Sequence, residues 1–312
     1  MKVIENWFRA SDGHRVFFHE FLPDDNKVEY VLQIVHGMAE HSLRYEEFAR
    51  FLTDRGIAVY INDHRGHGRT AYSTDDMGVW NYKNAWSVIV DDIKNLNDNI
   101  ALKIQPGKDI YLLGHSMGSF LTMSFLTKYS SSVKGAILIG PGYIPAYKIC
   151  PYRFISKLQC LIFGYKYKSK LFHNLIFGSY HKFFDKPFEW LSTNREVVDK
   201  YVKDPFCGGK LSSSFYNSLF KGLIYNNNIY NIRKISKDLP VLLLAGTDDP
   251  VGNFGKSVEI VVKRFKEAGI KDVEHKLYEG ARHEVLNEIN NTKIFHDIFM
   301  WINLKREIKN VK

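Results

Sequence analysis

The sequence predicts an α/β fold in which a mostly parallel sheet of eight strands carries helices on both faces and a helical cap is inserted after the sixth strand. Short apolar runs alternate with helical patterns up to Gly142, as is typical of strands that are buried on both faces and separated by helices. This alternation then stops and resumes only at Pro240. The length of 312 residues fits one large domain that carries such an insertion.

The chain is predicted to begin with an antiparallel hairpin, because two β-prone runs, residues 3–9 and 15–22, flank the turn signal Ser11-Asp12-Gly13. The six further strands are predicted at residues 30–35, 57–61, 110–113, 136–139, 241–245 and 273–278. Helical periodicity predicts helices at residues 45–55, 85–102, from 119 onwards, 258–268 and 294–304. Strands and helices that alternate in this way favour a parallel sheet over a meander.

The interruption defines the predicted domain organisation. Residues 1–142 and 236–312 form the predicted core, and residues 143–235 form the inserted cap. The cap holds 15 Lys and Arg against 5 Asp and Glu, a local net charge of +10, whereas the rest of the chain has −1. It also holds 21 of the 45 Phe, Trp and Tyr residues. The net charge of +9 therefore belongs to the cap and not to the protein as a whole.

The composition excludes a disordered or membrane-spanning chain. Hydrophobic residues make up 45% and charged residues 25%, and the mean hydropathy is −0.25. The three cysteines, Cys150, Cys160 and Cys207, are too few for a disulfide framework and lack zinc-ligand spacing. Residues 1–12 lack the apolar stretch of a secretory signal. We therefore expect a cytoplasmic protein without metal or cofactor.

A basic and aromatic surface fits either nucleic acid or an anionic lipid surface. No known nucleic-acid-binding module is visible, so we expect no nucleic-acid partner. Residues 148–170 mix apolar side chains with lysines, as a helix at a membrane interface would. Two interpretations stay open: this segment contacts an anionic membrane peripherally, or its apolar groups pack on the core while its lysines face water.

The strongest local signal is Gly114-His115-Ser116-Met117-Gly118, which lies between a predicted strand and a predicted helix. Small residues around a serine in that context permit a strained turn that exposes its hydroxyl as a nucleophile. The N-terminus of the following helix stabilises negative charge there. The pattern alone arises often by chance, and a capping serine in an ordinary turn is the alternative. The strand-to-helix context favours Ser116 as the nucleophile.

A serine nucleophile needs a histidine base and an acid that orients it, and in this architecture the acid comes first in the sequence. Asp248 and Asp249 follow the strand at residues 241–245, and His283 follows the last predicted strand. We favour Asp249 as the acid because it lies further past the strand and precedes the rigid Pro250, which leaves Asp248 to cap the turn. His283 is the predicted base.

The tetrahedral intermediate of acyl transfer needs two backbone N–H donors. Met117 directly follows the nucleophile and is predicted to supply one of them. The loop after the strand at residues 30–35 is predicted to supply the other through Met38, where Gly37 permits a tight backbone.

Three motifs together resemble those of a known family. They are His-Gly-Met-Ala-Glu-His-Ser-Leu-Arg-Tyr at residues 36–45, Asp-His-Arg-Gly-His-Gly at 63–68 and Gly-His-Ser-Met-Gly at 114–118. The chain resembles the monoacylglycerol lipase and lysophospholipase branch of the α/β-hydrolases, in its bacterial form, over nearly the whole core. The resemblance implies that Ser116, Asp249 and His283 form a catalytic triad, with Met38 and Met117 as the oxyanion-hole residues.

The sequence departs little from that family. Thr70 stands where the family commonly has serine, at a loop position without a direct catalytic role. Asp63 and Arg65 are interpreted as groups that fix a loop. His64 and His67 have a spacing found in some metal sites, but no second cluster of ligands accompanies them, so we expect no metal.

The expected function is that of a serine carboxylester hydrolase that cleaves monoacylglycerols or lysophospholipids. An aromatic-rich cap above the nucleophile would line an apolar tunnel for an acyl chain. The alternatives are an esterase, thioesterase or peptidase of the same fold that acts on a non-lipid substrate, and a noncatalytic lipid-binding relative. The sequence leaves the headgroup, the chain length and the oligomeric state open.

Overall fold

Eight strands form one sheet in the computed structural model, which describes residues 1–310. They are β1 (Lys2–Arg9), β2 (Arg15–Leu22), β3 (Tyr30–Val35), β4 (Ile57–Asn62), β5 (Ile110–His115), β6 (Gly135–Ile139), β7 (Val241–Gly246) and β8 (Val273–Tyr278). Their order is β1-β2-β4-β3-β5-β6-β7-β8. β2 is antiparallel to β1 and β4, and the other neighbouring pairs are parallel. The predicted sheet is confirmed.

Helices cover both faces of this sheet. They are α1 (Glu46–Thr53), α2 (Ala85–Asn99), α3 (Met117–Tyr129), α4 (Ala146–Phe163), α5 (Lys170–His181), α6 (Arg195–Lys203), α7 (Ser213–Asn227), α8 (Ile229–Ile232), α9 (Lys256–Glu267) and α10 (Asn291–Asn310). Leu32 and Ile34 of β3 pack in one cluster with Phe48 of α1 and with α10. Val31 and Val35 belong to a second cluster that includes α2, α3 and α9. Alternate side chains of the buried strands therefore fill two separate apolar layers.

The insertion, residues 143–235, contains α4 to α8 and adds no strand to the sheet within the described residues. One of its helices, α7, packs it against the core. A Cβ at Gly222 of α7 would collide with the ring of Trp86 on α2, so glycine allows these helices to pack closely. Phe215 and Phe220 of α7 share the apolar cluster of α2 and α3, and α4 packs along α7. The insertion after the sixth strand is helical, as predicted.

The sequence pattern misplaces the junction between β5 and α3. It ends the strand at residue 113 and starts the helix at 119, whereas the strand reaches His115 and the helix begins at Met117. Gly114 and His115 continue the parallel pairing with β6. Glycine is depleted in strands, so local propensity ends the strand too early. Ser116 is consequently the single residue between the strand and the helix.

The predicted interfacial helix is shorter than its sequence pattern. α4 ends at Phe163, and two of the lysines beyond it bind the core. Lys166 pairs with Asp76 at 2.8 Å, and Lys168 donates to the carbonyl of Met77. The basic side chains of residues 148–170 therefore do not all lie on one exposed helix surface, because Lys166 and Lys168 contact the core.

Most large apolar side chains of α4 face outward. Phe154 and Leu161 are 69% and 75% exposed, whereas Ile149 is buried. The exposed apolar side chains of this helix are Tyr147, Tyr152, Phe154, Leu158, Leu161, Ile162 and Phe163. The interpretation that this segment packs its apolar groups on the core is therefore wrong for most of them. Across residues 1–310, none of the helices combines the length and apolar character required to cross a membrane.

Candidate active site

Ser116 forms a sharp turn between β5 and α3, with φ 53° and ψ −119°. A positive φ is sterically unfavourable for a residue that carries a Cβ. The turn is held by a hydrogen bond of 2.9 Å from the Ser116 N–H to the carbonyl of Ile139. A Cβ at Gly118 would collide with the carbonyl oxygen of Val35, and a Cβ at Gly114 with that of Gly118. These two glycines therefore let the helix start close against the sheet.

His283 and Asp249 come together from the loops after β8 and β7. His283 Nδ1 lies 3.0 Å from Asp249 Oδ2, and both side chains are buried. The other carboxylate oxygen, Oδ1, accepts the N–H of Val251 at 2.8 Å. A carboxylate on Nδ1 keeps the proton on that nitrogen, which leaves Nε2 able to accept one.

Asp248, the neighbouring carboxylate, is exposed and takes no part in this contact. Its side chain accepts the hydroxyl of Thr247 at 3.2 Å, and its backbone N–H donates to the carbonyl of Ala281 at 2.9 Å. The prediction that Asp248 caps the turn is wrong, because the carboxylate of Asp249 accepts the backbone N–H there.

The imidazole of His283 lies beside the Ser116 turn. Gly140 directly follows Ile139, which binds the Ser116 N–H, and a Cβ at Gly140 would lie 2.9 Å from His283 Cε1. The ring packs against Trp190 with 5.4 Å between centroids. Within residues 1–310 neither His283 Nε2 nor the Ser116 hydroxyl makes a hydrogen bond.

Met38 and Met117 border the same cavity as Ser116. Met117 is the first residue of α3, so its N–H has no acceptor within the helix. The loop that carries Met38 runs close to the serine, since a Cβ at Gly37 would lie 3.3 Å from the Ser116 Cβ. Two backbone segments with N–H groups thus pass beside the serine side chain.

A buried ionic network joins the loops around the serine. Arg44 donates two hydrogen bonds of 2.6 Å to Glu284 and one of 2.7 Å to Glu40. The hydroxyl of Tyr45 donates to Glu40 at 2.9 Å, and His115 Nδ1 lies 3.2 Å from the same carboxylate. The network therefore connects the loop after β3, the end of β5 and the loop after β8.

The charges in this network stabilise one another. Burial disfavours an ionised Glu40, but the hydrogen bond with His115 and the charge of Arg44 outweigh it and hold the pKa of Glu40 well below its usual range. Burial also disfavours a protonated His115, yet Glu40 raises the pKa of His115. Glu284 was not among the predicted site residues, although its position next to His283 was the available signal. Its partner Arg44 is 240 residues away in the sequence.

The loop after β4 is fixed by the residues that the sequence assigned to that role. Asp63 accepts the backbone N–H groups of Ser42 and Arg69, each at 2.8 Å. Arg65 is buried and pairs with Asp92 at 2.6 Å. Their interpretation as loop-fixing groups is confirmed.

His64 and His67 are buried, and burial lowers the pKa of His67 to about 4. A different trio, His41, Asp204 and Cys207, has its ligand-type atoms within 4.8 Å of one another. His41 and Asp204 are hydrogen-bonded to each other at 2.9 Å. Burial raises the pKa of the Cys207 thiol. This trio, which the sequence spacing did not reveal, links the insertion to the core.

A cavity of about 540 Å³ borders Ser116. Its wall is mainly apolar and comes largely from the insertion, through Tyr143, Ile144, Tyr152, Leu175, Ile176, Phe177, Tyr180, Trp190, Leu219, Phe220 and Leu223. Among the described residues, the charged side chains that line it are Lys148 and Arg264, and no carboxylate does. Its size and lining are typical of a site for an apolar small molecule.

Comparison with known proteins identifies the family and several relatives of this chain. A family model described as serine aminopeptidase, S33, matches residues 26–290. Monoglyceride lipase from Homo sapiens is 28% identical over 298 residues, which cover 94% of this chain and 88% of that protein. Monoacylglycerol lipase from Mycolicibacterium smegmatis is 27% identical over 302 residues, which cover 96% of each chain. The crystal structure of a thermostable carboxyl esterase from Bacillus coagulans in complex with glycerol shares the fold, with a TM-score of 0.88 and 24% identity over 97% of this chain and 98% of that one.

Proposed function

Because the chain belongs to the α/β-hydrolase family described as serine aminopeptidase, S33, we propose that it is a serine carboxylester hydrolase that cleaves single-acyl lipids through an acyl-enzyme on Ser116. The observation that carries this proposal is the Asp249–His283 pair beside a strained serine turn at the edge of an apolar cavity. Monoacylglycerols are the first candidate substrates, because two relatives that align over nearly the whole chain are named monoglyceride lipase and monoacylglycerol lipase. Lysophospholipids are the second.

In the proposed first step Asp249 orients His283, and His283 Nε2 takes the proton of the Ser116 hydroxyl. The serine oxygen forms a bond to the ester carbonyl carbon, and the carbonyl electron pair moves to its oxygen. The backbone N–H groups of Met38 and Met117 donate to that oxyanion. The positive end of the α3 dipole lies at Met117 and stabilises the same negative charge.

The tetrahedral intermediate then collapses and expels the alcohol, which takes the proton from His283. This leaves the acyl group on Ser116. A water molecule gives a proton to His283 and attacks the acyl carbonyl, and the same donors hold the second oxyanion. The fatty acid leaves, and the Ser116 hydroxyl is restored.

The cavity favours an acyl ester over a peptide with a free N-terminus. An aminopeptidase needs a carboxylate to hold the substrate ammonium group, whereas the charged residues on the described cavity wall are Lys148 and Arg264. Glu40 and Glu284 lie nearby, but both are paired with Arg44. The remaining wall is mostly aliphatic and aromatic, which suits a hydrocarbon chain.

The two adjacent aspartates provide a matched test of the triad. Asp249→Asn is expected to lower kcat for p-nitrophenyl butyrate by about 10³- to 10⁴-fold, because the amide no longer fixes the tautomer of His283. Asp248→Asn, its exposed neighbour, is expected to stay within about twofold of wild type, because Asp248 does not contact His283. Labelling with a fluorophosphonate is expected to disappear in Ser116→Ala. Equal loss in both aspartate variants, or a labelled serine in Ser116→Ala, would contradict the triad.

Chain length tests the role of the cavity. Burial of one methylene contributes about 0.8 kcal/mol, or roughly fourfold in kcat/KM if that contact is kept in the transition state. We therefore expect kcat/KM to rise more than about tenfold from acetyl to decanoyl esters of glycerol. A parallel series of lysophosphatidylcholines identifies the preferred headgroup. Release of p-nitrophenol from p-nitrophenyl butyrate measures catalysis on a substrate without a lipid headgroup. Equal rates on acetate and decanoate esters would contradict an acyl-chain cavity, and binding without turnover would favour a lipid carrier.

We further propose that α4 contacts an anionic membrane surface from which substrate enters. Exposed apolar side chains of this size rarely lie together on a monomer without a binding role. Exposed Lys148 and Lys157 accompany them on the same helix, within an insertion of net charge +10. Each basic residue near an anionic surface contributes about 1 kcal/mol, and each buried leucine about 1.5–3 kcal/mol.

Leu161→Asp is expected to weaken binding to phosphatidylglycerol vesicles by at least about tenfold, since an apolar contact is replaced by a like-charge repulsion. Ile289→Asp is the matched control, because Ile289 is 67% exposed but precedes α10 on the core. Co-sedimentation measures binding, and hydrolysis of a soluble short ester should be unchanged in both variants. Equal binding of both variants would rule out α4 as the contact.

A further inference from the structure

Residues 201–208 of the insertion, which comprise the end of α6 and the segment after it, bind the loop that carries Met38. Two donors from this segment meet at one carbonyl oxygen, that of Ala39. The hydroxyl of Tyr201 donates to it at 3.1 Å, and the backbone N–H of Gly208 donates to it at 3.0 Å. Among residues 1–310, the hydrogen bonds to this carbonyl of the core loop thus come from the insertion and not from the core.

Ala39 is a residue that needs such support. Its φ is 55°, a value that costs an alanine conformational energy and would relax if the loop were free. On the other side of Met38, the N–H of Gly37 donates to the carboxylate of Glu40. Met38 therefore lies between two fixed points, and only the one at Ala39 depends on the insertion.

Further contacts keep this segment in place. His41 Nε2 lies 2.9 Å from Asp204 Oδ2, and the guanidinium of Arg44 stacks over the Tyr201 ring at 4.7 Å. Tyr201 is buried, and burial raises its pKa well above the usual value, so the hydroxyl keeps its proton and remains a donor. Tyr201 therefore holds the Ala39 carbonyl from a buried position and not from the protein surface.

We propose that Tyr201 is a positioning residue for catalysis: by holding the Ala39 carbonyl it fixes the direction of the Met38 N–H toward the oxyanion. The insertion then contributes to the chemical step as well as to the choice of substrate. This inference rests on the proposed function, because it needs Met38 as an oxyanion donor. An oxyanion donor acts mainly in the transition state, so a loosened loop lowers kcat more than it raises KM.

Tyr201→Phe removes the hydroxyl and keeps the aromatic ring under Arg44. Tyr216→Phe is the matched control: Tyr216 is a buried tyrosine of the insertion whose hydroxyl has no hydrogen-bond partner among the described residues, and it does not line the cavity. We expect kcat of Tyr201→Phe on p-nitrophenyl butyrate to fall about three- to tenfold, the effect of one buried hydrogen bond, with KM within about twofold. Tyr216→Phe should match wild type in both constants.

Two further measurements separate positioning from folding. Titration with a fluorophosphonate counts active sites, so kcat is expressed per intact site. An alkyl boronic acid forms a tetrahedral adduct with the serine, and its affinity should fall by the same factor as kcat in Tyr201→Phe. If Tyr201→Phe leaves kcat per site or boronate affinity unchanged, the inference is wrong. Ester hydrolysis by the wild-type protein would still support the proposed function in that case. If wild type hydrolyses no ester, the proposed function fails and this inference fails with it.

Discussion

The positive-φ turn at Ser116 is the constraint on which the rest of the site depends. The Ser116 N–H donates a hydrogen bond to the carbonyl of Ile139, which stabilises this conformation, and Gly114 and Gly118 allow α3 to start against the sheet. β5 lies between β3 and β6, so the turn is fixed by the middle of the sheet. β3, β7 and β8 run parallel to β5, so the loops that follow them start at the same edge of the sheet as the Ser116 turn. This brings the other polar groups of the site close to the serine.

A buried ion pair and hydrogen bonds from the insertion hold those loops in place. Arg44 joins the loop after β3 to the loop after β8 through Glu284, in a buried setting where removal of one partner would leave the other charge unpaired. The insertion binds the loop after β8 directly, because the N–H groups of His283 and Glu284 donate to the carbonyls of Trp190 and Leu191 at 3.2 and 2.7 Å. Part of the insertion is therefore fixed to the site, while α4 lies outside these contacts with its apolar face exposed.

The sheet, the helical insertion and the contact between Asp249 and His283 follow from local signals. The buried strands appear in the sequence as apolar runs. Asp249 could be preferred over Asp248 because it lies further past the strand and directly precedes Pro250. The Arg44–Glu284 pair and the contact of Tyr201 with Ala39 could not be predicted, because each joins residues more than 150 positions apart in the sequence and neither lies in a periodic pattern. Propensity also ended β5 too early, since the pairing of Gly114 with β6 is a tertiary effect.

The most direct test of the central claim is a crystal structure of the protein after reaction with an alkyl fluorophosphonate. We expect phosphorus on the Oγ of Ser116, the phosphoryl oxygen within about 3.1 Å of the backbone nitrogens of both Met38 and Met117, and the alkyl chain inside the cavity of the insertion. Phosphorus on another residue, or a phosphoryl oxygen turned away from both nitrogens, would contradict the proposed nucleophile and oxyanion hole.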